Sequence, residues 1–276
     1  MSIRRQRVLM FDSGAGGLSV ARSVRAQLGE VADLVYAADT AGFPYGRWSE
    51  VMLVKRILKV MRELIGAVQP DCVVIACNTA STLALDVLRE EFRVPFVGTV
   101  PAIKPAAAQT QTGVIGVLAT PGTVKREYTR TLIHTYAFHC KVLLHGAPNL
   151  AEIAERKLGG QPVDADQLLT EIKPVFRSRG GNRTDVVVLG CTHYPLVLDE
   201  LKQVAPWPVE WVDPAPAIAR RTAFILADRG AHHQPGEVSD IEPDTVIFTS
   251  VPAGGQVPAG FRAMGFNALK VLDIPV

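Results

Sequence analysis

The sequence predicts an α/β fold with largely parallel sheets flanked by helices. Two observations carry this. Short aliphatic runs alternate with helix-like segments along most of the chain, and the runs are continuous rather than alternating apolar with polar. A continuous run marks a strand covered on both faces, and interleaved helices make such a sheet parallel. A third observation hints at two related halves. The stretches DCVVIACNTAS (71–81) and DVVVLGCTHYP (185–195) each place an Asp before an aliphatic run and a Cys six positions after that Asp.

Taken in order, RVLMF (7–11) is a strand ending at Asp12, and 17–28 carries Leu18, Val20, Ala21, Val24 and Leu28 at helical spacing. DLVYAA (33–38) is the next strand. A long amphipathic helix follows, with Val54, Ile57, Leu58, Met61, Leu64, Ile65 and Val68 on one face and Lys55, Lys59 and Arg62 between them. CVVIA is a strand, a helix runs from about 82 to 92, and VPFVG is a further strand. In the second half GVIGVLA (113–119), KVLLH, DVVVLG and VEWVD read as strands. The stretches after Pro121, Asn149, Asp164, Pro195 and Ala215 read as helices. VGTVPAIKPAAAQ and VAPWPVEWVDPAP are proline-rich crossings and candidate boundaries.

A chain of 276 residues suits one large or two moderate domains, and 48% hydrophobic with 20% charged residues is ordinary for a globular protein. A net charge of +2 argues against a dedicated nucleic-acid binder. The densest basic cluster, Arg4, Arg5 and Arg7, reads as a solvated tail. No apolar run approaches the ~20 residues of a membrane span, and MSIRRQRVLMFDSG lacks the apolar core of a signal peptide. Cys72, Cys77, Cys140 and Cys191 lie far apart with no CxxC pair, so reduced thiols in the cytoplasm are expected.

Open parallel sheets bind ligands at the carboxyl ends of their strands. DSGAGG (12–17), FPYGRWS (43–49), CNTAS (77–81) and CTHYP (191–195) fall at such places, and Asp39 opens the connection carrying the second. DSGAGG lacks the third glycine of a dinucleotide fingerprint, Ser19 standing there, and lacks the GK[ST] of a P-loop. It reads instead as a flexible loop whose N–H groups suit a small anion, with Asp12 and Ser13 at its rim. Cys72, inside its strand, reads as a small core hydrophobe, as does Cys140. Cys77 and Cys191 each end a strand before a helix, where a thiol pKa falls below its usual ~8.5.

Three chemistries compete for that pair. Zinc held by Cys77, Cys191 and His193 lacks a fourth ligand and the usual ligand spacing. A Cys–His hydrolase uses one thiol and leaves the other unexplained. Two-base proton transfer uses both, one removing a proton as thiolate while the other returns one to the opposite face of the carbon. Arg47 is the only arginine in these segments and they hold no lysine, so a carboxylate substrate falls to hydroxyls, amides and backbone N–H groups. The segments give no sign of a pyridoxal phosphate Schiff base.

FDSGAGG, DTAGFPYG, ACNTAS, PAIKPA and GCTHYP stand in an order and spacing that resemble the glutamate racemases of the cofactor-independent aspartate/glutamate racemase superfamily, over nearly the whole chain. The resemblance implies two similar α/β domains, 1–99 plus 212–276 carrying Cys77 and 100–211 carrying Cys191, with the active site in the cleft between them. It implies Cys77 and Cys191 as the two acid/bases, the first serving D-glutamate and the second L-glutamate. Asp12 assists the first and His193 the second, with Glu155 near the place of another assisting carboxylate. Substrate contacts fall on Asp12, Ser13, Pro44, Tyr45, Gly46, Asn78, Thr79, Thr192 and His193, and on Thr120 or Thr123. Neither metal nor cofactor is expected, and the partners are L- and D-glutamate and a second copy in a homodimer. D-Glutamate supply for peptidoglycan in a bacterial cytoplasm follows. Some members carry a long N-terminal extension and need a cell-wall precursor as activator. Eleven residues precede Asp12, so no such dependence is expected.

Overall fold

The computed structural model describes residues 5–179, 181–230 and 239–276. The chain forms two compact units, one running to Thr99 and resuming at Ala215, the other spanning Val100–Pro214. The first unit opens with β1 (Gln6–Asp12), α1 (Leu18–Leu28), β2 (Ala32–Ala38), α2 (Glu50–Val68), β3 (Cys72–Ile75), α3 (Asn78–Glu91) and β4 (Phe96–Gly98). The second unit holds α4 (Ile103–Gln109), β5 (Val114–Ala119), α5 (Pro121–Lys125), α6 (Glu127–Tyr136), β6 (Lys141–Gly146), α7 (Leu150–Leu158) and α8 (Ala165–Ile172). It continues with β7 (Ser178–Arg179), β8 (Asn182–Arg183), β9 (Val186–Gly190), α9 (Leu198–Val204) and β10 (Glu210–Val212). The chain then completes the first unit with α10 (Ala215–Gly230), β11 (Thr245–Phe248), α11 (Ala259–Ala263) and β12 (Ala268–Val271).

In the first unit the strand order is β12-β11-β2-β1-β3-β4, and every pairing is parallel. The second unit's sheet, β10-β9-β5-β6, is likewise all parallel, and β7 and β8 form a separate antiparallel ribbon. Continuous aliphatic runs such as CVVI of β3 and VVVLG of β9 are strands buried throughout. Each buried Val, Leu or Ile contributes about 1.5–3 kcal/mol of transfer free energy, which favours interior places for these strands in their sheets.

The repeated Asp has one structural role in both units. Asp71 Oδ2 accepts the Arg7 N–H at 2.6 Å, joining the foot of β3 to β1. Asp185 accepts the Thr110 hydroxyl at 2.6 Å and the Gln111 and Thr112 N–H groups at 2.7 and 3.0 Å, joining the foot of β9 to the segment entering β5. Burial works against the Asp185 anion, but these donors outweigh it and hold its carboxyl below the usual range. Six residues beyond each Asp, the chain leaves the carboxyl end of the sheet with a cysteine.

Several expectations need correcting. Arg5 is exposed, but Arg7 is buried: its Nη1 donates to the Val68 carbonyl at 3.1 Å and its backbone serves β1. The basic cluster is therefore not a tail at Arg7, while Arg4 lies outside the described residues, as do the first four of the eleven residues preceding Asp12. The helix expected from about residue 82 begins at Asn78, so CNTAS is its cap and first turn. After Pro195 the helix is broken into a 3₁₀ turn over Tyr194–Val197 and the short α9. Strands β11 and β12 were not read from the sequence. They extend the first sheet from the β2 edge, with Val246 level with Tyr36.

Candidate active site

Cys77 is the N-cap residue of α3, with extended backbone at φ −68° and ψ 119°. The N-terminal end of a fourteen-residue helix carries the positive end of its macrodipole, which favours thiolate over thiol. Phe11 is level with Ile75, and Ala76 N–H donates to the Phe11 carbonyl at 2.8 Å. Asp12, the last residue of β1, and Ser13 after it therefore lie beside Ala76 and Cys77. The Cys77 Sγ lies 3.8 Å from the Ser13 hydroxyl oxygen. Asp12 is fully buried, and its Oδ2 accepts the Gly14 N–H at 3.0 Å.

The loop after Asp12 is not the flexible anion loop expected. Residues 13–17 are all buried, Tyr36 donates its hydroxyl to the Gly14 carbonyl at 2.9 Å, and Asp12 itself takes the Gly14 amide. Glycine at 17 is required by close approach. A Cβ there lies 2.7 Å from the Tyr36 hydroxyl oxygen and 3.0 Å from both the Asp12 and Ala76 Cβ atoms.

Next to the thiol, Asn78 is buried, and neither its Nδ2 nor its Oδ1 has a hydrogen-bond partner. An unsatisfied buried polar group costs about 1–3 kcal/mol. Among the described residues, both ends of this buried carboxamide therefore keep free hydrogen-bonding capacity beside a capping cysteine. Thr79 is buried in the same first turn.

Tyr45 is tied into the protein through Asp39. Its hydroxyl donates to Asp39 Oδ2 at 2.5 Å, so that hydroxyl is committed within the protein. Burial, and then the Asp39 carboxylate, push the Tyr45 phenol well above its ordinary value and keep it neutral. What this turn presents is Pro44, joined to Phe43 by a cis peptide bond, and the half-buried Gly46. Asp39 in turn is held by Arg56 Nη2 and Nε at 2.6 and 3.0 Å and by the Thr249 hydroxyl at 2.6 Å. Gly42 must be glycine for this packing, since a Cβ there lies 2.6 Å from Asp39 Oδ2. Arg47 is exposed.

The second unit builds a comparable end by other means. Gly190 is level with Ala119, so Cys191 leaves β9 beside Thr120 as Cys77 leaves β3 beside Ser13. No long helix starts at Cys191. Instead its Sγ lies 3.8 Å from His193 Nδ1, and His193 Nε2 lies 2.8 Å from Glu155 Oε1 on α7. Burial works against the His193 imidazolium, but hydrogen bonds to Cys191 and Glu155 and the charges of both outweigh it and hold His193 well above its ordinary 6.5. Thr192 is buried between the two. Thr120 caps α5 by accepting the Thr123 N–H at 3.2 Å, and the two hydroxyl oxygens are 3.0 Å apart. Thr120 is half-buried and Thr123 fully buried.

The expected residues thus gather at the carboxyl ends of two sheets. Cys77, Asp12, Ser13, Asn78, Thr79 and the 44–46 turn belong to the first; Cys191, Thr192, His193, Thr120 and Thr123 belong to the second. Glu155, only loosely placed by the motif, is brought onto His193. Sequence reasoning missed Arg56 and Thr249. Arg56 leaves a sign, a cation interrupting the apolar face of α2 between Leu53, Ile57 and Val60, whereas Thr249 leaves none. Cys72 is fully buried inside β3, a core residue. Among the described residues, no group of three or more His, Cys, Asp or Glu is arranged to hold a metal ion. No helix among them is long and apolar enough to cross a membrane.

A family model described as Asp/Glu/Hydantoin racemase matches residues 19–222. The chain is 51% identical over 247 residues to a glutamate racemase of Brucella anthropi, covering 87% of this chain and 88% of the relative. It is 53% identical over 244 residues to a glutamate racemase of Brucella ovis, covering 88% and 86%. Its structure is similar to that of Escherichia coli glutamate racemase in complex with L-glutamate and the activator UDP-MurNAc-Ala, with a TM-score of 0.87, 40% identity and 98% of each chain covered. Two cysteines standing at equivalent strand ends, within a match that spans most of the sequence, lead to one conclusion: the chain belongs to the Asp/Glu/hydantoin racemase family.

Proposed function

We propose that the protein interconverts L- and D-glutamate without a cofactor, by proton transfer between the α-carbon and the Cys77 and Cys191 thiols. The observation that carries this is the pair of strand-end cysteines, one beside the Ser13 hydroxyl and the other beside His193. Identity above 50% to glutamate racemases makes glutamate the substrate of choice. Cys191 as thiolate, beside the His193 imidazolium, removes the α-proton of L-glutamate, and Cys77 as thiol delivers a proton to the opposite face. The reverse reaction exchanges these roles, with Cys77 as base and Cys191 as acid. D-Glutamate made this way supplies peptidoglycan synthesis.

The α-proton is far less acidic than a thiol of pKa ~8.5, so the carbanion needs preorganised donors in a site closed to water. The unpartnered Asn78 carboxamide, the Ser13 and Thr120 hydroxyls and the amides of the Tyr45–Gly46 turn are the groups that meet this need. Their task is to hold the two carboxylates while protons are exchanged at the α-carbon.

The test is incubation of purified protein with L-glutamate in deuterated water, following optical rotation and α-deuterium together. Loss of rotation with deuterium in the D-glutamate formed is the expected result. Absence of both signals under reducing conditions overturns the reading for glutamate, and a panel including aspartate and hydantoins then identifies the substrate.

A further inference from the structure

Helix α7 carries Glu155, and three attachments fix that helix where it meets the turn after Cys191. At its start, Glu171 accepts the Asn149 backbone N–H at 3.2 Å and the Asn149 side-chain amide at 2.8 Å. Along its length, Leu150, Ile153 and Ala154 are buried in the core. Near its end, Lys157 Nζ donates to the Leu196 carbonyl at 2.8 Å and meets Glu200 at 2.7 Å. Leu196 stands near the end of the 3₁₀ turn that follows His193, and Glu200 lies in the first turn of α9.

Residues two apart on a helix leave it on nearly opposite sides. Glu155 and Lys157 are two apart, yet both reach the one segment 193–200, through His193 and through Leu196 with Glu200. A helix gripped on one side rolls about its axis. Gripped on both, it does not, and the Glu155 carboxylate is kept at its 2.8 Å from His193 Nε2. The Leu196 carbonyl stands near the end of a helical turn, where backbone acceptors lack intrahelical donors, so the lysine meets a backbone need at the same time.

We propose that Lys157 is a positioning residue for the reaction: it locks the roll of α7 against the 193–200 segment and so holds Glu155 on His193, and through His193 orients the proton at Cys191. The inference rests on the two-thiol reading above. Small displacements of a positioned group cost rate rather than affinity, so the effect belongs in kcat.

The test is a double-mutant cycle on the full chain. Lys157→Met lowers kcat about tenfold with KM within about twofold, and Lys157→Arg restores at least half of the lost rate. In a Glu155→Gln background, Lys157→Met changes kcat less than about twofold, because the group it positions is already altered. An equal fold-loss in both backgrounds assigns Lys157 a general structural role and overturns the proposal. So does an unchanged kcat in Lys157→Met, or full activity in Glu155→Gln. Cys191→Ala, run alongside, separates the two readings. If it stays active the two-thiol mechanism itself fails; if it is dead while the cycle gives equal losses, only the role of Lys157 fails.

Discussion

Replacing Arg56 by Met tests whether the turn that presents Tyr45 and Gly46 is built around a buried ion pair. Arg56 and Asp39 have side chains 3% and 0% exposed, and two of the guanidinium nitrogens meet the carboxylate at 2.6 and 3.0 Å. Methionine keeps most of the stem and removes the charge. Asp39 then keeps only the Tyr45 and Thr249 hydroxyls among the partners described. Stranding a buried carboxylate in this way costs about 3–5 kcal/mol. The Pro275 carbonyl also loses its 2.8 Å donor, but Lys59 Nζ at 3.1 Å remains to it, so that loss adds little. For a unit of this size about 4 kcal/mol corresponds to a fall of roughly 10 °C in melting temperature. The assay is thermal unfolding by circular dichroism, with kcat and KM measured at a temperature where both proteins are folded. Pairing the change with Asp39→Asn removes the stranded charge and recovers at least about half of the loss. If Arg56→Met lies within about 1 kcal/mol of the parent, or if the double variant is no more stable than the single, the pair is not the anchor of this turn.

Cys77→Ala and Cys191→Ala each abolish racemisation with the fold intact, read by polarimetry and circular dichroism together. Cys72→Ala lowers stability by only about 1–2 kcal/mol, since a small core group is lost, and leaves kcat within about twofold, read by the same two measurements. Gly17→Ala presses a methyl group onto the Tyr36 hydroxyl, Asp12 and Ala76; kcat falls at least about tenfold, and an unchanged kcat places Asp12 outside the reaction. His193 is held above its ordinary 6.5 by Glu155 and Cys191. Its contribution to stability is therefore complete below 6.5 and is lost as pH rises through the higher folded value. The gap in urea stability between the parent and His193→Asn should shrink from pH 6 to pH 9, and a gap that widens contradicts the charged form.

The sheets were legible because a strand covered on both faces must be aliphatic throughout, and CVVI and VVVLG leave no other reading. Cys77 and Cys191 stood out because each thiol ends a strand and is followed by hydroxyls and amides, and the structure places each at such an end. What escaped was set by partners distant in sequence. Thr249 gives its hydroxyl to Asp39 across 210 positions, and no local pattern marks it. The tail reading of Arg7 failed because β1 begins inside the basic cluster, and the guanidinium caps the end of α2 instead of meeting water. Tyr45 was assigned by motif to substrate, and the motif gave no sign that its hydroxyl donates to Asp39.

The two thiols reach equivalent places by unequal physics. Cys77 caps a fourteen-residue helix, whose N-terminal end carries partial positive charge, and the Ser13 hydroxyl oxygen lies 3.8 Å from its sulfur. Cys191 has no such helix, and its neighbour is a histidine whose proton is held by a carboxylate. The first setting places a helix terminus at the sulfur, whereas the second places there a histidine tied to a carboxylate. A racemase that runs in both directions needs each thiol to act alternately as base and acid. On the reading proposed above, His193 and Glu155 manage the proton at Cys191, and Asp12 is the assisting group expected at Cys77. The Asp–aliphatic–Cys pattern thus stands in both halves, while the residues after each cysteine, Asn-Thr-Ala and Thr-His-Tyr, differ. The strand must deliver the thiol in the same way twice, but the group that completes it depends on whether a helix begins there.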